Sequence, residues 1–268
     1  MDALARERIT IKSRDEVEQI RAAGLVVHEV LCALAAAARP GVTTLELDRL
    51  AESLTRRRGA EPAFLGYHGF PASLCISVNE EVVHGIPSPD RRLAEGDLVS
   101  LDYGVVLEGW YADSAVTVPV GAVDEASARL IEVTRQALAR AIAEARPGQR
   151  VGDLGAAAQA WTESQGYQVV RDFVGHGVGR RLHEPPQIPN FGTPGTGPRL
   201  KAGMVLAIEP MVNAGVASVD LLEDGWTAVT QDGRRSAHFE HTVAITDNGP
   251  DILTLPRGST LTLPEAAR

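Results

Sequence analysis

Cysteine is nearly missing from this chain. Cys32 and Cys75 are the two present in 268 residues, so no disulfide framework is implied and a reducing compartment suits the composition. Basic charge is also in short supply: 26 Lys and Arg stand against 35 Asp and Glu, a formal net charge of −9. That balance argues against non-specific binding to nucleic acid or to an anionic membrane surface. Bound cations, which a formal count leaves out, would cancel part of it. The opening stretch MDALARERITIKSR holds no apolar core of the signal-peptide kind. The most apolar helix-like stretch, Gly24 to Ala38, contains His28 and Glu29 and is too short to span a bilayer. A cytoplasmic protein is therefore expected. What remains is the profile of a globular chain, 44% hydrophobic and 23% charged, long enough for one large domain or two ordinary ones.

The most informative stretch is Gly96 to Asp113. Leu98, Ser100 and Asp102 alternate with Val99 and Leu101, as in a strand, and Glu108-Gly109 is a turn signal with β-formers on both sides. A hairpin folded there places Asp102 and Asp113 within about one residue of directly opposite. Cross-strand neighbours stand roughly 5 Å apart at Cβ, and two anions that close repel unless a proton or a cation sits between them.

The rest of the chain reads as one programme run twice. Residues 1 to 8 are polar and expected to be loosely held. Ser13-Arg14-Asp15-Glu16 has the form of a capping box, followed by Val17, Ile20, Gly24, Val27, Leu31 and Leu34 at helical spacing. Thr43-Thr44-Leu45-Glu46 opens a second helix, closed by Gly59. Leu74 to Val83 is strand-like. Further helices are expected over Asp124 to Ala145 and about Val151 to Gln165, and strands over Trp226 to Val229 and Phe239 to Ile245, with a tail past about Leu255. At a constant offset of 107 residues, Arg39-Pro40-Gly41 maps onto Arg146-Pro147-Gly148, Leu47 onto Leu154, Ala51 onto Ala158, Gly59 onto Gly166 and Gly96 onto Gly203. This is a duplicated helix–helix–strand unit, and so one domain of two similar halves, about 9–120 and 121–255. The offset carries Asp102 onto Glu209, each ending an apolar strand, with small Ser100 and Ala207 two places earlier.

Four carboxylates thus fall on strand-like segments: Asp102, Asp113, Glu209 and Glu240. His176, between glycines in VGHGVG, joins them, since flanking glycines let a histidine approach other backbone closely. One imidazole and four carboxylates form a hard, oxygen-rich set that suits Mn, Fe(II) or Co(II), and zinc less exclusively. Four negative charges balance two divalent cations, which at roughly 3.5 Å separation could share bridging carboxylates and a water. Singly, each residue has a plainer explanation: a histidine between glycines is common in loops, and a buried glutamate can pair with arginine. The duplication, which ties Asp102 to Glu209, favours the joint reading.

These residues carry a family resemblance. Asp102, Asp113, GHG with His176, IEP with Glu209 and FEHT with Glu240 resemble the pita-bread metallopeptidases. LGYHGFPASLCISVNEEVVHGIP, VGHGVGRRLHEPPQIPN, AIEPMVNAG and FEHTVAITDNG resemble, more closely, type I methionine aminopeptidases, over about Ile9 to Leu255. The resemblance implies an α+β pita-bread fold, two pseudo-twofold halves around a curved antiparallel sheet, with neither a zinc-finger extension nor the helical insertion of type II enzymes. It implies two divalent metal ions: Asp102 and Asp113 on one, His176 and Glu209 on the other, Asp113 and Glu240 bridging. Glu209 would also move the proton of the nucleophilic water, and His84 and His183 would flank the scissile bond. Tyr67, Phe70, Cys75 and Trp226 would wall a methionine pocket, with ordinary core packing as their competing explanation. Phe64 stands where a cysteine is frequent and Leu182 where phenylalanine is frequent, and both touch the expected pocket. The implied activity is removal of the initiator methionine from nascent polypeptides whose second residue is small. The sequence offers no clear dimer face, so a monomer is the default expectation. Transient contact with the ribosome is expected of an enzyme acting on nascent chains, rather than read from any residue, and the charge balance argues against direct nucleic-acid or membrane binding.

Two rivals make different demands. A proline-specific pita-bread peptidase usually carries a large additional N-terminal domain, whereas about a hundred residues precede Asp102. A non-catalytic peptide-binding module of the same fold typically loses metal ligands, and all five positions are filled here.

Overall fold

The computed structural model describes residues 8–259. The expected loose start falls on residues 1–7, apart from Arg8, and much of the expected tail on 260–268, outside the described residues. Among the described residues there are four long helices: α1 (Arg14–Ala37), α2 (Thr44–Arg57), α3 (Glu125–Glu144) and α4 (Val151–Ser164). Ser13 and Thr43 cap the first two. Each side chain accepts the N–H three residues on, while Glu16 and Glu46 return the bond to the cap's own N–H. Helix α1 buries Ile20, Gly24, Val27, Leu31 and Leu34, the spaced face read from sequence. At 24 residues it is longer than the apolar run that begins at Gly24, and by length and composition alone it could cross a membrane. That corrects the sequence-based bound. The same apolar face is spent on the sheet, so α1 is a core helix. At Gly24 a Cβ would lie 2.5 Å from the Leu253 carbonyl oxygen.

The strands are β1 (Glu61–Pro62), β2 (Cys75–Val78), β3 (Glu81–Val83), β4 (Leu98–Leu107), β5 (Trp110–Pro119), β6 (Gln168–Val169), β7 (Gly175–Gly177), β8 (Glu184–Ile188), β9 (Val205–Ile208), β10 (Met211–Asn213), β11 (Val219–Leu221), β12 (Ala228–Thr230), β13 (Ser236–His238), β14 (Glu240–Thr246) and β15 (Gly249–Ile252). Nine form one sheet in the order β1-β4-β5-β14-β9-β7-β8, with β2 also on β4 and β15 on β14. All of its pairs are antiparallel. It therefore joins strands from both repeats, and β5 meets β14 at their junction. Side chains alternate between its faces. Leu101 and Tyr103 point to the helices, where the Tyr103 hydroxyl lies 2.7 Å from Thr55 Oγ1 of α2. Asp102 points the other way.

Two local readings need correction. The stretch Leu74 to Val83 is two strands, broken at Asn79, whose φ is 60°. Asparagine tolerates that left-handed conformation. Its side chain accepts the Leu98 N–H at 3.0 Å, which sends β2 to the large sheet and β3 to a three-stranded sheet with β12 and β11. In the hairpin, Asp102 is opposite Ala115 and Asp113 opposite Gly104. The acids are diagonal, two places apart rather than about one. A stagger of two keeps both on one face, where a shift of one would have turned them apart.

The 107-residue offset is visible in the backbone. Helix α2 maps onto α4 at both ends. Gly41 N–H donates to Leu93 O at 2.7 Å and Gly148 N–H to Leu200 O at 3.1 Å. Isolated bridges Thr43–Arg92 and Arg150–Arg199 repeat at the same spacing.

Candidate metal centre

Pairing register builds the site on the sheet face away from the helices. Cys75, Asp102, Ala115 and Glu240 form one row across β2, β4, β5 and β14, and His176, Ala207 and Thr242 form another across β7, β9 and β14. Asp113 and Glu209 complete the set, two places from Ala115 and Ala207. Directly opposite residues share a face, so all five ligand candidates project into one space. Ala115 and Ala207, being small, leave it open.

That space is a cavity of about 250 Å³. Every side chain singled out from sequence lines it: Asp102, Asp113, His176, Glu209, Glu240, His84, His183, Tyr67, Phe70, Cys75 and Trp226. Phe64 and Leu182 line it as well. Sequence reasoning missed His68, Val83, Phe173 and Val174. For His68 a signal existed, since it lies inside the GYHGF stretch already chosen for the pocket.

Local sequence fixes each donor. A Cβ on Gly175 would lie 2.4 Å from Ala207 O and 3.3 Å from Glu209 Cγ, and one on Gly177 would lie 2.3 Å from Pro185 O. The glycines flanking His176 are thus required by close backbone. His176 Nδ1 lies 3.1 Å from the Gly177 carbonyl oxygen, which sets that nitrogen as the N–H and leaves Nε2 as a free lone pair. Nε2 is 3.5 Å from Glu209 Oε1. Asn190 holds the Glu209 backbone, donating from Nδ2 to its carbonyl at 3.0 Å. His84 sits at φ 61°, and at Gly85 a Cβ would collide with Ile76 O at 2.2 Å. That contact draws the loop onto β2 and turns His84 into the cavity.

Between β5 and β14 the ladder gives way to a side chain. The Thr242 hydroxyl accepts the Asp113 N–H at 3.0 Å and donates to the Asp113 carbonyl at 2.7 Å. Ser114 Oγ donates to Glu240 O at 2.5 Å. Asp113 and Glu240 are therefore pinned through backbone, with Asp113 Oδ1 and Glu240 Oε1 left without a partner.

Burial governs the electrostatics. Desolvation, with neighbouring carboxylate charge, pushes Asp102, Glu209 and Glu240 well above the ordinary carboxylate range, and burial pushes Asp113 up to about 7. Desolvation lowers His84 and His176 to about 4 and lowers His183 further, helped by the neighbouring histidines. Among the described residues, no lysine or arginine lines the cavity. Asp102 Oδ1, Asp113 Oδ1 and Glu240 Oε1 are buried without a hydrogen-bond partner. Ligand atoms of Asp113, His176 and Glu240 all lie within 4.8 Å of one another. Orphaned buried oxygens, crowded acids and a neutral imidazole aimed at the same point fit divalent cations and little else.

Fold and donor set together define a pita-bread metallopeptidase, and the chain belongs to metallopeptidase family M24, whose profile matches residues 18–247. Among its relatives is a methionine aminopeptidase of Clostridium acetobutylicum, 52% identical over 247 residues, 92% of this chain and 99% of that one. The crystal structure of a methionine aminopeptidase from Thermotoga maritima superposes with a TM-score of 0.92 at 50% identity, covering 93% of this chain and all of that one. A prolidase from Pyrococcus furiosus shares the fold at TM-score 0.76 and 28% identity, but this chain covers 66% of it.

Proposed function

We propose that this protein is a metal-dependent aminopeptidase that removes the initiator methionine from new polypeptides whose second residue is small. One observation carries the reading: four carboxylates, Asp113 and Glu240 buried and Asp102 and Glu209 partly so, share with a buried imidazole a cavity with an apolar, aromatic and sulfur-lined wall. The cavity has room for one side chain. Phe70 and Trp226 meet edge to face with centroids 5.1 Å apart, and an unbranched thioether packs well against such rings.

Two divalent ions, of Mn, Fe(II), Co(II) or Zn, would be held by Asp102 and Asp113, by His176 and Glu209, and by Asp113 and Glu240 between them. When bound, such ions polarise a carbonyl and lower the pKa of water. The chain's own residues do the rest. Glu209, its carboxyl raised by burial, takes a proton at Oε from the attacking water and returns it to the leaving nitrogen. His84 and His183, held neutral by burial, donate hydrogen bonds to the peptide under attack without adding charge. Tyr67 OH, 2.7 Å from His183 Nδ1, occupies one nitrogen and commits the other to substrate.

The whole chain acts as one catalytic unit with halves near 9–120 and 121–255. We assign it to the cytoplasm as a monomer, meeting nascent N-termini through transient contact with the ribosome. Purified protein loaded with Mn(II) or Co(II) should cleave Met-Ala-Ser and leave Arg-Ala-Ser and Xaa-Pro peptides largely intact. Equal turnover of all three, or none of the first, overturns the assignment.

A further inference from the structure

Beneath the His183 loop lies an ion pair that the proposed chemistry does not use. Lys12 Nζ sits 2.8 Å from Glu184 Oε2, with the two side chains 5% and 4% exposed. Glu184 is the residue after His183. Its Oε2 also accepts from Thr10 Oγ1 at 2.6 Å, and its Oε1 accepts from the Arg181 N–H at 3.2 Å. Lys12 Nζ donates to Thr10 Oγ1 as well. The pair fills the inside of the loop: a Cβ on Gly179 would lie 2.5 Å from Glu184 Oε1 and 2.7 Å from Lys12 Cε.

The other ends of this network are anchored. Lys12 N–H donates to Gly203 O at 2.7 Å, just ahead of β9 and Glu209. Ser13, next in sequence, caps α1. Glu184 is opposite Gly177 in the β7–β8 pairing, one place from His176. The His183 ring stacks on Tyr67 at 5.2 Å and packs against His176 at 4.0 Å between centroids. Residues 10–12 thus tie the start of α1 to β8, which follows His183, and to the turn ahead of β9, which leads to Glu209.

We propose that Lys12 is a positioning residue for His183: its buried ammonium, through Glu184, holds the loop so that the imidazole meets the scissile bond. The argument is one of solvation. A buried carboxylate stripped of its cation either takes up a proton or pulls toward water. Glu184 would do one or the other, and His183 moves with its neighbour. Misplacing a catalytic group by about 1 Å can cost on the order of 100-fold. The segment ahead of the first helix is then part of the active-site frame, although it touches no substrate.

The inference rests on the aminopeptidase reading, and its test separates the two. Lys12→Met, Thr10→Val, His183→Ala and both combinations with His183→Ala are loaded with Mn(II) and assayed on Met-Ala-Ser. Mn(II) affinity and stoichiometry are measured by calorimetry. Lys12→Met should lower kcat/KM about tenfold or more with Mn(II) binding unchanged, and Lys12→Arg should recover most of the loss. Thr10→Val, which deletes one hydroxyl near the surface, should show a smaller fall in the same parameter and decides the matter if Lys12→Met does not fold. In the His183→Ala background either substitution should add less than about twofold, because residues acting through one group are not additive. Full additivity with His183→Ala, or unchanged kcat/KM in both single variants, overturns the proposal. Absence of wild-type turnover would instead overturn the aminopeptidase reading.

Discussion

Glu209 is subject to three demands at once: a lone pair toward His176, a carboxyl raised by burial, and a backbone tethered by Asn190. Glu209→Gln keeps shape and packing but cannot accept the proton. It should lower kcat on Met-Ala-Ser by about 100-fold or more, with a melting temperature close to wild type. Full activity in that variant would refute the role. Gly85 makes the opposite kind of prediction, one of volume. Gly85→Ala forces a methyl against Ile76 O and should cost on the order of 1–3 kcal/mol, read as a lower urea midpoint with an unchanged slope. At this scale the sequence was most legible where chemistry is rare. Buried acids in strands and a histidine between glycines stand out from background. Phe173 did not, because an apolar residue before a strand looks the same whether or not it borders a cavity, and His68 was passed over although its neighbours in GYHGF were chosen. Phe64 and Leu182 line the wall, as expected of them.

Among the elements, helices were the easiest to read, since caps and spaced apolar residues are local in sequence. Strand partners are not local. The break at Asn79 and the diagonal stagger of Asp102 and Asp113 depend on which strands pair and in what register, and a hairpin midpoint approximates that only to a residue or so. The bond from Thr242 to Asp113 is of the same non-local kind, linking residues 129 apart in sequence. Thr242→Val should leave a buried N–H and a buried C=O of Asp113 unsatisfied, costing about 1–3 kcal/mol for each. Because those groups hold Asp113 in place, Mn(II) affinity should fall with stability, which paired calorimetric and urea titrations would show.

For the molecule as a whole, the site is a concentration of unbalanced negative charge inside a chain already at −9. Asp113 titrates ordinarily near 3.8 and is raised to about 7 in the fold. A carboxyl raised on folding binds its proton more tightly in the folded state. Its contribution to stability is complete below its unfolded value and is lost as pH rises through the folded one. The other three acids shift in the same direction. In protein stripped of metal by a chelator these acids lose stability from about pH 4 to about pH 7, while His84 and His176, lowered by burial, push the other way. The Asp113 part is therefore read as a difference: Asp113→Asn should raise the metal-free melting temperature over wild type by more at pH 7 than at pH 4, and a difference independent of pH would contradict it. The duplication was legible because it is a fixed offset in the letters themselves, whereas the place where its halves join was not. At that join, threonine hydroxyls stand in for carbonyl and amide partners twice over. Thr242 serves Asp113, and Thr117 accepts the His238 N–H and donates to the His238 carbonyl. Beside the two paired positions, Ala115 with Glu240 and Ser114 with His241, rotatable side chains replace the ladder and can part locally, so deuterium should enter at the Asp113 and His238 amides through local breathing, ahead of global unfolding.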